Sequence, residues 1–267
     1  MEFKSFLKTV EGNEANHCGY TTRLDLYGCG CAHDCAYCYA KSLLSFRGLW
    51  NPSDPRVANI EKVERKIRRM EPDSMVRLGG MTDCFQPIEQ ERRNTLNAIR
   101  LLQKFGVGYL AVTKSDMILD YLDELDPKLA HVQVSITWLP WENAPETERR
   151  IHAVEVLQRE GINVAVRLSP YIPGYVDFDR LNRIECDKIV VEFLRVNHWI
   201  EKWLPIDTSA YTVRHAGYRH LPLDEKVKHL KGIDFPQLTV CEDVTEHYEY
   251  WRDNVNFNPK DCCNLRR

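Results

Sequence analysis

The chain has 267 residues, of which 43% are hydrophobic and 28% charged, a balance that excludes a fibrous or intrinsically disordered protein. A net charge of −3 excludes a global electrostatic footprint for nucleic acid, so any such partner is held by a local patch. No run of about 18 apolar residues occurs, and the start Met1-Glu2-Phe3-Lys4-Ser5 lacks the charged-then-apolar order of a secretory signal, which predicts a cytoplasmic protein with no membrane partner.

In chain order, the first strong signals are a predicted strand at 22–27 and a cysteine-rich loop at 28–40. The alternation of strand and helix then continues to residue 203. Further strands are predicted at 75–79, 109–113, 131–137, 163–169 and 188–194. Helices are predicted at 59–70, 89–105, 116–125, 146–160 and, briefly, 178–184. Within 59–70, Ile60, Val63, Ile67 and Met70 share one helical face. Gly106 and Gly161 stand where helix C-caps belong. Repeated β-α units imply parallel strands, in a barrel or an open doubly wound sheet.

Six strands are too few for a closed eight-stranded barrel, and strand faces sharpen the choice. Val132, Val134 and Ile136 oppose Gln133, Ser135 and Thr137; Val164, Val166 and Leu168 oppose Ala165, Arg167 and Ser169; Ile189, Val191 and Phe193 oppose Val190, Glu192 and Leu194. Parallel strands buried on both faces are normally apolar throughout. With helices outside, the polar faces line a lumen able to hold a polar ligand, where Arg167 and Glu192 are also placed to form an ion pair. Residues 204–267 break the rhythm, with helices predicted at 224–231 and 244–254 around a short strand at 237–241. They read as a C-terminal extension packed on the open side of a domain spanning 1–203.

Chemistry concentrates at Cys31, Cys35 and Cys38, a C-x3-C-x2-C run. Soft thiolates favour zinc, copper(I) or an iron–sulfur cluster. A structural zinc site takes four ligands, usually as two C-x2-C pairs. No second pair exists, so a zinc knuckle would need Cys29 or Cys18. Three cysteines around a cubane instead leave one iron open to another ligand. Ten cysteines in a chain without an export signal read as metal or redox residues rather than disulfides.

This spacing, with Tyr37 before the last cysteine, resembles the signature of the radical S-adenosylmethionine (SAM) enzymes. The resemblance implies a partial (β/α)6 barrel, with a [4Fe–4S] cluster whose fourth iron is chelated by SAM. It also implies an external reductant, such as a flavodoxin- or ferredoxin-like donor. Reduction would split SAM into methionine and a 5′-deoxyadenosyl radical that abstracts hydrogen. The ordered landmarks Gly-Cys-x-His-x-Cys-x-Tyr-Cys-Tyr-Ala, Thr-Asp-x-aromatic-Gln-Pro-Ile-Glu, Val-Thr-Lys-Ser, Val-Ser-Ile-Thr and Arg-Leu-Ser-Pro-Tyr-Ile-Pro-Gly resemble, more narrowly, the spore-photoproduct-lyase-like branch. By that resemblance Gly79, Gly80, Thr82, Lys114 and Ser135 hold SAM, with Lys114 on its carboxylate and Tyr37 against adenine, while Arg167 lines the lumen as a further cofactor-binding candidate. The lyase carries a hydrogen-donating cysteine just before the Thr-Asp pair. Here that position is Met81, and Cys84 is the nearby candidate donor.

A second cysteine group, Cys241, Cys262 and Cys263, reads as structural thiols, a redox pair, an active-site thiol delivered by the C-terminal tail, or ligands of an auxiliary cluster. Basic residues gather at Lys62–Arg69 and, interleaved with Tyr211 and Tyr218, at Arg214, His215, Arg219, His220, Lys226, Lys228, His229 and Lys231. Charge with aromatics suits phosphate contact and base stacking. The reading is hydrogen abstraction from an organic substrate, with a nucleotide or nucleic acid preferred over a peptide or small metabolite. A non-catalytic zinc or iron–sulfur module is the reading from another class.

Overall fold

The structure, a computed structural model, describes residues 2–10 and 17–266. Eight strands form the main sheet: β1 (Leu7–Thr9), β2 (Thr22–Leu24), β3 (Met75–Leu78), β4 (Gly108–Thr113), β5 (Ala130–Ser135), β6 (Asn163–Tyr171), β7 (Lys188–Phe193) and β8 (Gln237–Val240). Spatial order follows chain order, and β2 to β8 all run parallel. Only β1 is antiparallel, against β2. The sheet ends at β1 and β8, so the barrel is open.

The six predicted strands are β2 to β7, the first ending early at Leu24. Tyr27, expected to finish it, instead pairs with Val57 in a small separate sheet. The seventh parallel strand, β8, comes from the extension. Residues 204–267 are therefore not simply laid on the barrel, as the sequence pattern suggests: they extend its sheet along β7.

Helices cover the outer face: α1 (Tyr39–Phe46), α2 (Ile60–Ile67), α3 (Asn94–Lys104), α4 (Thr147–Arg159), α5 (His198–Trp203), α6 (Leu223–Leu230) and α7 (Thr245–Asn254). In α2 the Asn59 side chain caps the Lys62 N–H, and Val63 and Ile67 are buried as the periodicity requires. The helix predicted at 89–105 is broken, because Arg93 turns left-handed at φ 50° between Glu89–Arg92 and α3. Buried Glu89 compensates, accepting from the N–H groups of Thr95 and Leu96 at 2.9 and 3.0 Å and so capping α3. The segment predicted as a helix at 116–125 winds more tightly, as a 3₁₀ run over Asp116–Glu124.

Val132, Val134, Val164, Val166, Leu168, Ile189 and Val191 face outward into one continuous core with Ile151, Val154 and Leu157 of α4. Each fully buried aliphatic side chain of this kind contributes about 1.5–3 kcal/mol. Inside, the amino end of the barrel is plugged by the chain's own tail. Lys188 at the start of β7 donates to the carbonyls of Asn264 and Arg266, at 3.2 and 3.0 Å. Asn163 at the start of β6 donates to Leu265 O, and Gln133 to Cys263 O at 2.7 Å. Leu265, Cys262 and Cys263 then pack on Leu110. Among the described residues no helix is long and apolar enough to cross a membrane.

Candidate active site at the carboxyl ends of the strands

The loop after β2 is shaped by close backbone contact. Cys29 and Asp34 adopt left-handed conformations, and a Cβ on Gly30 would lie 1.9 Å from the Asn51 carbonyl oxygen. Only glycine fits there. Fully buried Gln86 fastens this loop to the one after β3, accepting from Ala32 N–H at 3.1 Å and donating to Gly30 O and Asp83 O. The segment after β5 braces it from the other side, through Ala36 N–H to Trp141 O and Asn143 N–H to His33 O.

Cys31, Cys35 and Cys38 thereby line one cavity with Tyr37, Gly79, Gly80, Thr82, Lys114, Ser135 and Arg167. Nearly every residue named from the sequence is brought together. The exception is Cys84, which is 1% exposed, belongs to the hydrophobic core and is absent from the cavity wall. The reason is local: the Asp83 side chain accepts from Phe85 N–H at 2.8 Å, and Thr95 holds the Cys84 carbonyl, turning this stretch inward. Burial, reinforced by the Asp83 and Glu89 carboxylates, pushes the Cys84 thiol well above its ordinary pKa.

Asp83 is the hub of the site. It accepts from Thr113 Oγ1 at 2.7 Å and Lys114 N–H at 2.6 Å, and its Oδ2 lies 3.3 Å from His33 Nε2. Burial opposes its charge, but His33 and these donors prevail and hold the carboxyl below the usual range. Lys114 Nζ reaches Glu142 at 3.3 Å and Ser169 O at 3.3 Å, and sits 5.2 Å above the Tyr37 ring. Burial, with Arg150 adding to it, brings Lys114 down to about 8 against the pull of Asp83 and the cysteines. Glu142 in turn bonds Arg150 at 2.7 Å and accepts from Thr137 at 2.8 Å.

On the opposite wall Arg167 is not a free cation. Its guanidinium donates to Gln133 at 2.7 Å and to Glu192 at 2.6 Å, so it lines the cavity as half of an ion pair. Burial opposes the Glu192 charge, yet Arg167 and Arg195 hold that carboxyl down to about 2. Thr82 likewise donates its hydroxyl to Tyr27 O at 2.6 Å. Gly79, at φ 79°, lies so close to β4 that a Cβ there would come within 2.8 Å of Val112 O.

Sequence reasoning missed Tyr39 and Arg195, both in the cavity wall, and named Cys241, also in that wall, only as one of a second cysteine group. Tyr39 donates its hydroxyl to Gly80 O, and Arg195 lies 5.5 Å from the Tyr39 ring and 5.6 Å from that of Tyr218. Arg195 and Cys241 closely follow the carboxyl ends of β7 and β8, the positions where barrels carry their chemistry, so that rule could have found them. The basic run of the extension is largely paired with acidic groups. Arg219 pairs with Glu201, Lys226 with Glu242 and Lys228 with Glu225, while His220 is buried.

The donor set fits an iron–sulfur centre. Three soft thiols share one loop at the cavity, and burial raises each of them above its usual pKa. The Tyr37 hydroxyl is buried there without a partner, in a wall ready for another group.

Comparison with known proteins matches residues 26–185 to the radical SAM superfamily. An uncharacterized protein of Methanocaldococcus jannaschii is 24% identical over 232 residues, covering 79% of this chain and 87% of that protein. The radical SAM Nalpha-GlyT isomerase of Pseudomonas phage M6 is 24% identical over 195 residues, covering 67% of this chain but only 40% of the phage protein. Among solved structures, spore photoproduct lyase complexed with dinucleoside spore photoproduct superposes with a TM-score of 0.68 at 17% identity, over 90% of this chain and 80% of the lyase. A lyase variant with bound AdoMet and the same dinucleoside gives 0.64 at 18% identity, over 85% and 78%.

Proposed function

The chain belongs to the radical SAM superfamily, and from that premise we propose that it cleaves SAM reductively in this cavity and abstracts hydrogen from a nucleotide or nucleic acid. One observation carries the reading: three cysteines, Tyr37 and Lys114 converge on a single cavity at the carboxyl ends of parallel strands. When bound, a [4Fe–4S] cluster supplied with electrons by an external reductant provides the reductive cleavage of SAM to a 5′-deoxyadenosyl radical.

The residues of this chain bind, orient and enclose. Cys31, Cys35 and Cys38 ligate the cluster. Lys114 offers a compact ammonium to the SAM carboxylate and is kept in place by Glu142 and Ser169. Tyr37 and Ser135 complete the SAM side, while Asp83 fixes the loops that carry them. A nucleic-acid class of substrate is supported by Tyr39 and Arg195 together in the cavity wall, a ring with a guanidinium 5.5 Å from it, although that guanidinium is paired with Glu192 at 3.2 Å and Asp243 at 3.1 Å. The dinucleoside bound by the structurally similar lyase points the same way. The basic extension lends it less, since most of its charge is paired.

The experiment is anaerobic reconstitution with iron and sulfide, reduction in the presence of SAM, and mass analysis of 5′-deoxyadenosine with deuterated nucleosides or oligonucleotides. Deuterium in the deoxyadenosine supports the full reading. Deoxyadenosine labelled only from peptides or small metabolites would overturn the substrate class, and a colourless zinc protein forming none would overturn the reaction.

A further inference from the structure

Four large apolar side chains stand exposed among the described residues, and three of them, Leu43, Phe46 and Leu49, follow one another just after the cluster loop. Phe46 is the most open, 73% exposed. The stretch grows directly out of the cysteines. Cys38 is the N-cap of α1, whose Ala40, Ser42 and Leu44 face inward while Leu43 and Phe46 face out. Past α1, left-handed Gly48 turns the chain, and Leu49 N–H bonds Leu44 O at 2.8 Å. The chain then returns to the loop: Trp50 donates its indole N–H to Asp34 at 2.9 Å, and Asn51 N–H bonds Cys29 O at 2.7 Å. Single exposed apolar side chains are ordinary, whereas a group of them marks a contact surface.

Three properties decide what this surface contacts. The first is its closeness to the cluster loop. Cys31 and Cys35 are buried, but Ala32, Asp34 and Ala36 beside them are only half-buried, so the back of the loop reaches solvent next to Trp50. Electron transfer weakens steeply with distance, and here the surface stands one residue away from a ligating cysteine. The second is charge. From Cys35 to Ser53 the chain carries Lys41 and Arg47 and no acidic residue. Helix α5, held to α1 by Asn197 donating to Ser42 Oγ at 2.9 Å, adds Lys202. Lys41 is paired with Asp34, and Glu201 of α5 with Arg219, but among the described residues no carboxylate pairs with Arg47 or Lys202. The third is size. Stable complexes bury about 1,200–2,000 Å², and electron-transfer encounters lie below that range. A few side chains on one short helix and its turn suit the smaller class.

We propose that Leu43, Phe46 and Leu49, rimmed by Arg47 and Lys202, are the docking surface for an acidic electron-carrier protein that reduces the cluster. The proposal rests on the radical SAM reading, which requires an external reductant. At each encounter the carrier is oxidised by one electron and the cluster is reduced by one. A second copy of this chain fits less well, because a two-fold contact sets a cationic patch against itself. Nucleic acid fits less well too: Leu43 and Leu49 offer no ring for stacking, and two unpaired cations make a poor phosphate track.

The test uses the full chain with its cluster reconstituted, and the double variant Phe46→Ser with Arg47→Glu. Two readouts are taken anaerobically. One is the broadening of amide resonances of isotope-labelled flavodoxin, or of an acidic ferredoxin, as the chain is added. The other is the rate of 5′-deoxyadenosine formation, driven either by those reduced carriers or by dithionite, which is small enough to need no docking surface. The unmodified chain should broaden the carrier resonances, and its carrier-driven rate should fall as salt rises. In the variant both the broadening and the carrier-driven rate should drop about tenfold or more, while the dithionite-driven rate stays the same. Unchanged carrier-driven rate and broadening in the variant overturn the proposal, and so does a chain that dithionite drives but neither carrier does. A dimer split by the variant, or oligonucleotide binding lost in it, with carrier-driven turnover untouched, gives the surface to another occupant and also overturns it. Absence of deoxyadenosine even with dithionite is failure of the radical SAM reading itself and takes this proposal with it.

Discussion

The two cysteine sets of the same barrel are built in opposite ways, and of the second only Cys241 reaches the level of the first. Cys31, Cys35 and Cys38 come from one loop at the carboxyl ends of the strands, and their spacing alone brings them together. Cys18, Cys241, Cys262 and Cys263 meet only because β8 pairs with β7 and the tail turns back under the sheet. The upper set is local chemistry placed on a scaffold, whereas the lower set is a product of the scaffold. Disrupting the loop should therefore abolish function while sparing the fold, and disrupting the tail should weaken the fold itself.

The largest expected effect is Cys35→Ala. The loop is held by Gln86 and by the backbone bonds of Ala36 and Asn143 rather than by Cys35, so the melting temperature should barely move. SAM cleavage should fall to background. Deoxyadenosine formation at the unmodified rate would break the comparison at its upper half.

Next is deletion of residues 261–267, which removes Leu265, Cys262 and Cys263 from the lower lumen and leaves Lys188, Asn163 and Gln133 without their carbonyl partners. Lys188 keeps Asn163 Oδ1 and Asn163 keeps His131 Nδ1, so Gln133 carries most of the polar loss, about 1–3 kcal/mol. With the burial of Leu265 also gone, about 1.5–3 kcal/mol, a loss of roughly 3–5 kcal/mol in denaturant unfolding is expected. A loss under about 1 kcal/mol would mean that the tail only decorates the barrel.

The same contrast explains how much of the molecule is legible in its sequence. The β-α rhythm, the polar lumen and the upper thiols are legible, because each is a pattern within a few neighbouring residues. Alternation along β5, β6 and β7 announces the lumen, and Gln133, Arg167 and Glu192 do meet there. The break at Arg93 is not legible, since the buried Glu89 carboxylate that caps the second helix is recognisable only once it is folded inward. Nor is the neutralised extension, because a count of basic residues does not reveal that Glu201, Glu225 and Glu242 answer them. Cys18 lies close in sequence to the cluster loop, yet its partners come from the far end of the chain, where no spacing rule reaches.

A smaller effect sharpens the upper half. Lys114→Met removes the ammonium offered to the SAM carboxylate but leaves Glu142 paired with Arg150 and Thr137, so the wall should survive. A hydrogen bond to a charged group contributes about 1.5–3 kcal/mol, which sets the expected rise in the Kd for SAM at about tenfold or more. Calorimetric titration of the reconstituted protein measures it directly, and an unchanged Kd would move the carboxylate to another cation.

The smallest effect belongs to the thiol that lies in neither set. Cys84 adjoins Asp83, the hub of the upper site, and its position in the sequence invites a catalytic role. Its side chain nevertheless lies in the core, with burial and two nearby carboxylates keeping the thiol neutral. Cys84→Ala deletes one sulfur from a packed interior, a loss of about 1 kcal/mol by the scale of small core truncations. The amount of deoxyadenosine and the product formed should both stay as they are. A changed product with normal deoxyadenosine would place the Cys84 thiol within reach of the substrate radical, which requires the Asp83–Phe85 turn to open during turnover. Proximity in sequence to a reactive loop would then have outweighed burial, and the division of the cysteines by structural level would have to include a third, mobile member.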